Sequence, residues 1–230
     1  MKTLTTEEIT GKARTHIKQI KQPRFAAQSE VCEAFLQMTL SAEDDGILME
    51  PFSSFRDFKT QLRIWNHKYT GKKPFFDING NVINREGMTE DEIIWHILDW
   101  SALPGGSRHQ WGTEIDVIDR STIPDDYRVR LLPEETIEGG VFYKLHQWLD
   151  LHMHEFGFFR PYAKFIGGMN PEPWHLSYAP LSLDVIKQIN PIILQDAISD
   201  CEMLGKERTL QLIPEIFEKH ILNIVPPEYK

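Results

Sequence analysis

The chain has 230 residues, of which 41% are hydrophobic and 26% are charged, a balance that excludes disordered and fibrous proteins and is typical of a globular one. Its formal net charge of -9 at pH 7 argues against nucleic acid and anionic membrane surfaces as partners, because these are bound by clustered lysine and arginine. No stretch approaches the roughly 20 apolar residues of a membrane span, and Cys32 and Cys201 lack the spacing of a zinc knuckle or a disulfide framework.

The length of the chain suits a single catalytic domain, which we predict to span residues 1–230. Its core is expected at about residues 45–180, with helical extensions on both sides. The first 22 residues contain no apolar run that would form the core of a signal peptide. This predicts a cytoplasmic location, or a periplasmic one if a leader has been removed before Met1.

The N-terminal part of the chain is predicted to be helical. Apolar positions recur at helical spacing over residues 5–40 and are interrupted near Pro23, which indicates two helices. The apolar run that begins at Ile47 predicts a buried strand, and Asp57 is placed to cap the helix after it. Arg56 therefore falls at a strand-to-helix junction, a position that often presents functional side chains.

The middle of the chain combines a turn-rich loop with a capped helix. Asn79 and Gly80 indicate a hairpin turn in a loop rich in glycine and asparagine. Thr89 and Glu92 form a capping box for a helix that runs through Trp100. Residues 103–119 then pass from a glycine-rich turn into a strand that ends in β-branched residues.

The C-terminal half adds helices around two short strands. Apolar residues at helical spacing predict a core helix over residues 141–156, which Gly157 ends. Short strands are expected at residues 157–162 and 172–180, and closing helices at 183–204 and 210–224. The pattern as a whole predicts an α+β fold in which a small, largely antiparallel sheet packs with several helices.

Two separate segments carry residues suited to a metal hydrolase. A zinc hydrolase site uses three protein ligands and leaves one position open. His109 and Asp116 can meet one ion if the chain turns at Gly112 and continues as a strand. In the second segment His175 can complete the ligand set. Glu172, three residues earlier, can then take a proton from water whose pKa the metal has lowered to about 7.

These segments and a third one resemble the LAS metallopeptidases. Residues 107–116, SRHQWGTEID, are similar to the family signature SxHxxGxxxD, and residues 172–175, EPWH, to ExWH. Residues 53–61, SSFRDFKTQ, look like its S-x-[YF]-R-S-x-x-x-Q element, and all three occur in the family order. The family comprises the D-alanyl-D-alanine carboxypeptidases and dipeptidases related to the vancomycin-resistance enzymes, and the L,D-carboxypeptidases.

The resemblance implies a role for each matching residue. It implies one zinc ion bound by His109, Asp116 and His175, with Glu172 as the catalytic base. Arg56 would hold the substrate and offset negative charge on the tetrahedral intermediate, since a guanidinium stays charged and donates paired hydrogen bonds. Residues expected near the substrate are Ser107, Gln61 and, as a wall of the site, Trp174.

The sequence departs from the family at one position beside the ligands. Many relatives have a small residue two positions before the aspartate, where this chain has Glu114. On a regular strand its side chain points to the same side as that of Asp116. Glu114 is then either a carboxylate that supports a ligand or one that alters the metal preference.

The function implied is that of a zinc carboxypeptidase that removes the C-terminal D-alanine from peptidoglycan-derived peptides. The motifs leave open whether a D,D or an L,D bond is cut, and a role in muropeptide recycling fits the predicted location. One alternative is a phage-type endolysin that cuts the L-Ala-D-Glu bond. Another is a zinc-stabilised module that binds wall peptides without cutting them.

Overall fold

The protein is described here by a computed structural model that covers residues 3–227. Helices and strands alternate irregularly along it. The strands are β1 Lys18–Ile20, β2 Phe25–Ala27, β3 Met49–Ser53, β4 Phe75–Phe76, β5 Val82–Ile83, β6 Glu114–Asp119, β7 Phe158–Phe159 and β8 His175–Tyr178. The α-helices are α1 Thr6–Ile9, α2 Ser29–Asp44, α3 Phe58–Tyr69, α4 Glu90–Leu98, α5 Tyr143–His152, α6 Ala179–Val185, α7 Pro191–Ser199 and α8 Lys206–Ile216.

The main sheet has four strands in the order β3-β6-β8-β7, and every neighbouring pair is antiparallel. All six residues of β6 are buried. Two-stranded antiparallel sheets form from β1 with β2 and from β4 with β5. The α+β fold with a small antiparallel sheet, predicted from the sequence, is therefore confirmed.

Two apolar clusters hold the elements together. One is built by α2, α5 and the apolar residues of the main sheet, including Ile115 and Val117 of β6. The other is built mainly by α3, α4, α7 and α8. Because side chains alternate along a strand, Glu114 and Asp116 point to the face of β6 opposite Ile115 and Val117. No helix within residues 3–227 is long and apolar enough to cross a membrane.

Several local predictions are confirmed at atomic detail. The side chain of Asp57 accepts a hydrogen bond from the backbone N–H of Thr60 and so caps α3. Thr89 and Glu92 form the predicted capping box of α4. The hairpin of β4 and β5 encloses Asn79 and Gly80, which agrees with the turn expected from these two residues.

The prediction of two helices over residues 5–40 is wrong in its first part. The segment before α2 contains the short helix α1 and then the hairpin of β1 and β2, with Pro23 in the connecting turn. The strand residues Phe25 and Ala27 are buried in the sheet cluster, against which Ile20 also packs. Burial of these residues outweighs their helical spacing, because a short segment gains more from tertiary contacts than from propensity.

The closing helices also differ from the prediction. The helix expected over residues 183–204 is two helices, α6 and α7. Asn190 caps α7 by accepting a hydrogen bond from the backbone N–H of Ile193, and Pro191 is its first residue. Proline suits the first turn of a helix but interrupts a continuous one, so the chain begins a new helix there.

Candidate metal and active site

A short helix, the turn that follows it and one strand pair bring the predicted metal ligands together. His109 lies in a short 3-10 helix, Arg108–Trp111, which ends at Gly112 in the left-handed conformation with φ 70. The chain then enters β6, where Asp116 lies opposite His175 of β8. Ligand atoms of His109, Asp116 and His175 all lie within 4.8 Å of one another, and the three residues are buried.

Hydrogen bonds outside this group set the orientation of both imidazole rings. Nδ1 of His109 lies 2.8 Å from the carbonyl oxygen of Ser54, so it carries the proton and donates, which leaves the Nε2 lone pair free. Nε2 of His109 is 3.4 Å from Oδ2 of Asp116. Nε2 of His175 lies 2.8 Å from Oε2 of Glu114. The other ring nitrogen of His175, Nδ1, therefore faces Asp116.

The inner atoms of this group have the properties of metal ligands. Nδ1 of His175 and Oδ1 of Asp116 lie 3.1 Å apart. These two atoms are buried, and within residues 3–227 neither has a hydrogen-bond partner at a suitable angle. Buried polar atoms without partners are costly, and two imidazole nitrogens with one carboxylate are a donor set that zinc accepts. The residues present therefore fit a zinc ion.

Glu114 is fully buried behind His175. Besides His175, its carboxylate accepts hydrogen bonds from Thr113 Oγ1 at 2.7 Å and Ser177 Oγ at 2.9 Å, and Nη2 of Arg108 is 3.3 Å away. Burial acts to raise the pKa of Glu114, but the charge of Arg108 and the contact with His175 outweigh it and lower the pKa to about 2. Glu114 thus contacts a candidate ligand from its outer side.

Glu172 lies beside the three candidate metal ligands but is not one of them. Its Oε2 is 3.6 Å from Nδ1 of His175, and 13% of its side chain is exposed. A turn in which the N–H of His175 donates to the carbonyl of Glu172 at 3.0 Å fixes their separation. Burial raises the pKa of Glu172 to about 7. A carboxyl group with a pKa near neutrality is suited to exchange protons with a substrate.

Arg56 is held at the junction of β3 and α3. Its guanidinium donates to Gln61 Oε1 at 2.9 Å and to Ser53 Oγ at 3.2 Å. Gln61 is fully buried and donates in turn to the carbonyl of Ala102 at 2.8 Å. Arg56 reaches the cleft, whereas Gln61 is not among the residues that line it. The structure therefore places Gln61 as a support of Arg56.

These side chains share one cleft of about 660 Å³. Its lining includes the three candidate ligands together with Arg56, Ser107, Glu172 and Trp174. Trp174 is buried and stacks on Trp100, with 6.5 Å between ring centroids. Of the residues singled out from the motifs, Gln61 and Glu114 are not among those that line the cleft, and both are fully buried.

The cleft also contains residues that the sequence reasoning missed. Tyr162 is buried with its ring centroid 5.1 Å from that of His175, and burial raises its pKa. Lys68 in the last turn of α3 and the segment 128–132 form other parts of the lining. None of these residues belongs to a short sequence motif. Lys68 lies at a helix end and residues 128–132 lie in a loop, so no pattern in the sequence identifies them as part of a site.

Comparisons with known proteins bear on the family to which the chain belongs. The family model VanY, D-alanyl-D-alanine carboxypeptidase, matches residues 24–181. An uncharacterized protein of Haemophilus influenzae is 32% identical over 122 residues, which are 52% of this chain and 93% of that protein.

Two solved structures share the fold at 20% sequence identity. VanYB in complex with D-alanine-D-alanine has a TM-score of 0.52 and covers 80% of this chain and 88% of its own. A mutant of the vancomycin-resistance D,D-pentapeptidase VanY in complex with Zn(II) has a TM-score of 0.51 and covers 75% and 86%. The family model spans more than half of the chain, and the chain therefore belongs to the VanY family of D-alanyl-D-alanine carboxypeptidases.

Proposed function

We propose that this protein is a zinc-dependent carboxypeptidase that removes the C-terminal D-alanine from peptidoglycan-derived peptides. The observation that carries the proposal is the convergence of His109, Asp116 and His175 on one point of a cleft that Glu172 and Arg56 also line. Membership of the VanY family supports the reaction and the class of peptide.

The three converging residues would hold one zinc ion through Nε2 of His109, a carboxylate oxygen of Asp116 and Nδ1 of His175. Zinc supplies a Lewis acid that polarises a carbonyl group and lowers the pKa of a water molecule. The structural neighbour in complex with Zn(II) supports this choice of metal. Glu114 orients His175 by accepting the hydrogen bond of its outer nitrogen.

The remaining residues of the site have separate roles in hydrolysis. Glu172 takes a proton from the attacking water and passes it to the departing amine of D-alanine. Arg56 donates hydrogen bonds to the peptide and offsets negative charge that develops on the carbonyl oxygen. Ser107 and Trp174 contact the substrate from the cleft wall, and Gln61 fixes the direction of Arg56.

The direct test is incubation with muropeptides that carry tripeptide, tetrapeptide and pentapeptide stems, with and without a chelator. We expect zinc-dependent release of free D-alanine from the tetrapeptide or the pentapeptide, detected by mass spectrometry. The identity of the stem that is cut decides between an L,D and a D,D carboxypeptidase. The Glu172→Gln variant is the matched control, and it should bind peptide without releasing D-alanine.

Two other outcomes would replace the proposal. Cleavage between L-alanine and D-glutamate would show an endopeptidase of the endolysin type. Peptide binding at full zinc occupancy, with no product from any stem, would show a binding module. The cytoplasmic location and the single catalytic domain remain predictions, which cell fractionation and limited proteolysis of the native protein would test.

A further inference from the structure

The charge of the cleft is opposite to that of the chain. The whole protein has a formal net charge of -9. Within residues 3–227, however, the only acidic residues that line the cleft are Asp116, a candidate metal ligand, and Glu172. The basic residues of the same lining are Arg56, Lys68, Lys73, Arg108, Arg128 and Arg130. A cleft lined by one sign of charge concentrates ligands of the other sign.

Half of these basic side chains are already engaged within the protein. Arg108 pairs with Glu114, Arg130 pairs with Glu134, and Arg56 donates to Gln61 and Ser53. Within residues 3–227, the side chains of Lys68, Lys73 and Arg128 have neither an ion pair nor a hydrogen bond. Three cations facing one cleft are thus available to a ligand.

The environment of Lys68 favours a negative ligand nearby. Lys68 is partly buried, and burial lowers its pKa to about 8, although the charge of Glu172 acts in the opposite direction. Even partial burial of an ammonium group without an ion-pair partner is unfavourable. A negative group that entered the cleft at this point would remove that penalty.

The free cations are attached to other parts of the cleft wall than Arg56. Arg56 precedes α3, whereas Lys68 occupies its last turn and Lys73 lies in the loop beyond it. The 12 residues of α3 extend for about 18 Å at 1.5 Å per residue. This length separates the backbone positions of Arg56 and Lys68, while both side chains reach the same cleft. Three unpaired cations besides Arg56 exceed what one terminal carboxylate neutralises, so they point to a second negative group on the same peptide.

We propose that Lys68, Lys73 and Arg128 form a subsite that binds a second carboxylate of the substrate, located on a residue upstream of the terminal D-alanine. This rests on the proposed function and defines its substrate class as an acidic stem peptide. Two positions of a stem peptide can supply the group. One is the diamino acid, when it is diaminopimelate rather than lysine, and the other is the α-carboxylate of D-glutamate, when it is not amidated.

Three tetrapeptides or pentapeptides separate these sources. The reference peptide contains diaminopimelate and D-glutamate, the second has lysine in place of diaminopimelate, and the third has D-glutamate amidated. Their dissociation constants are measured by calorimetry on the zinc-loaded Glu172→Gln variant, in which binding is read without turnover. We expect the reference peptide to bind about tenfold more tightly than at least one of the others, a difference of about 1.4 kcal/mol.

Substitutions in the subsite then test whether its residues cause the preference for the reference peptide. Lys68→Met should remove the preference and weaken binding of the reference peptide about tenfold, while Lys68→Arg should retain part of it. Lys59→Met is the matched control, because Lys59 is exposed on the same helix and does not line the cleft. In the active enzyme, Lys68→Met should raise KM with little change in kcat.

Equal affinity of the Glu172→Gln variant, with Lys68, Lys73 and Arg128 intact, for all three peptides would overturn the subsite. An unchanged preference in Lys68→Met, Lys73→Met and Arg128→Met would overturn it as well, and the last two substitutions are at exposed positions where folding is not at risk. Failure of the proposed function is a different result. In that case the peptides are not cut by the wild type, but the calorimetric preference for a carboxylate persists.

Discussion

The two walls of the cleft are built in different ways. Around the candidate metal site, charged side chains are buried and mutually engaged, as in the contacts of Glu114 with His175 and Arg108. On the far wall, Lys68, Lys73 and Arg128 are partly or fully exposed and lack such contacts within residues 3–227. The wall around the metal site, the inner wall, is thus held by contacts within the protein, whereas the far wall has charged side chains that are free to contact a ligand.

The largest effect is expected from the centre of the inner wall. Asp116→Ala removes the carboxylate that contacts both imidazole rings, so stoichiometric zinc binding and D-alanine release should both be lost. Metal content by atomic spectroscopy, measured with D-alanine release, checks this. Asp126→Ala, at an exposed position outside the cleft, is the control. Full activity of Asp116→Ala would break the assignment of the metal site.

The next largest effect is expected at Glu172. Glu172→Gln keeps the size of the side chain but cannot accept a proton, so kcat should fall by about 10²–10⁴-fold. Zinc content should stay near one ion per chain, because Glu172 is not among the candidate ligands. If zinc were lost together with activity, Glu172 would belong to the metal site instead.

A smaller effect is expected from Glu114, which acts through His175. Glu114→Gln removes the negative charge behind the imidazole and should weaken zinc binding by about 10–100-fold. Competition with a chromophoric chelator measures this affinity without any need for turnover. Activity should recover at saturating zinc, which a merely misfolded variant would not show. Glu86→Gln, at an exposed position, is the control for loss of charge.

The smallest effect is expected at the turn that leads into β6. Gly112 has φ +70, and a Cβ there would lie 2.2 Å from Cδ1 of Ile17. Gly112→Ala should lower the free energy of unfolding by about 2 kcal/mol, from backbone strain and crowding. Gly87 has φ +78 with nothing within 4 Å of a Cβ, so Gly87→Ala should cost about 1 kcal/mol. Equal losses in urea denaturation would show that the contact with Ile17 is unimportant.

The structure confirms the predictions that depend on short stretches of sequence. The caps of α3 and α4, the strand β6 and the turn at Gly112 follow from residues that are close in sequence. The hairpin of β1 and β2 was missed because its apolar residues also satisfy a helical period. Only their burial against the sheet cluster distinguishes the two conformations.

The sequence by itself determined the chemical groups of the site, since each motif places its residues at separations of a few positions. His109 with Asp116 and Glu172 with His175 are two such local pairs. Only the tertiary structure decided that they meet, through the register of β6 and β8, and that Glu114 contacts the outer nitrogen of His175. It also decided that Lys68 shares their cleft, because contacts between residues far apart in the chain depend on how the helices and strands pack.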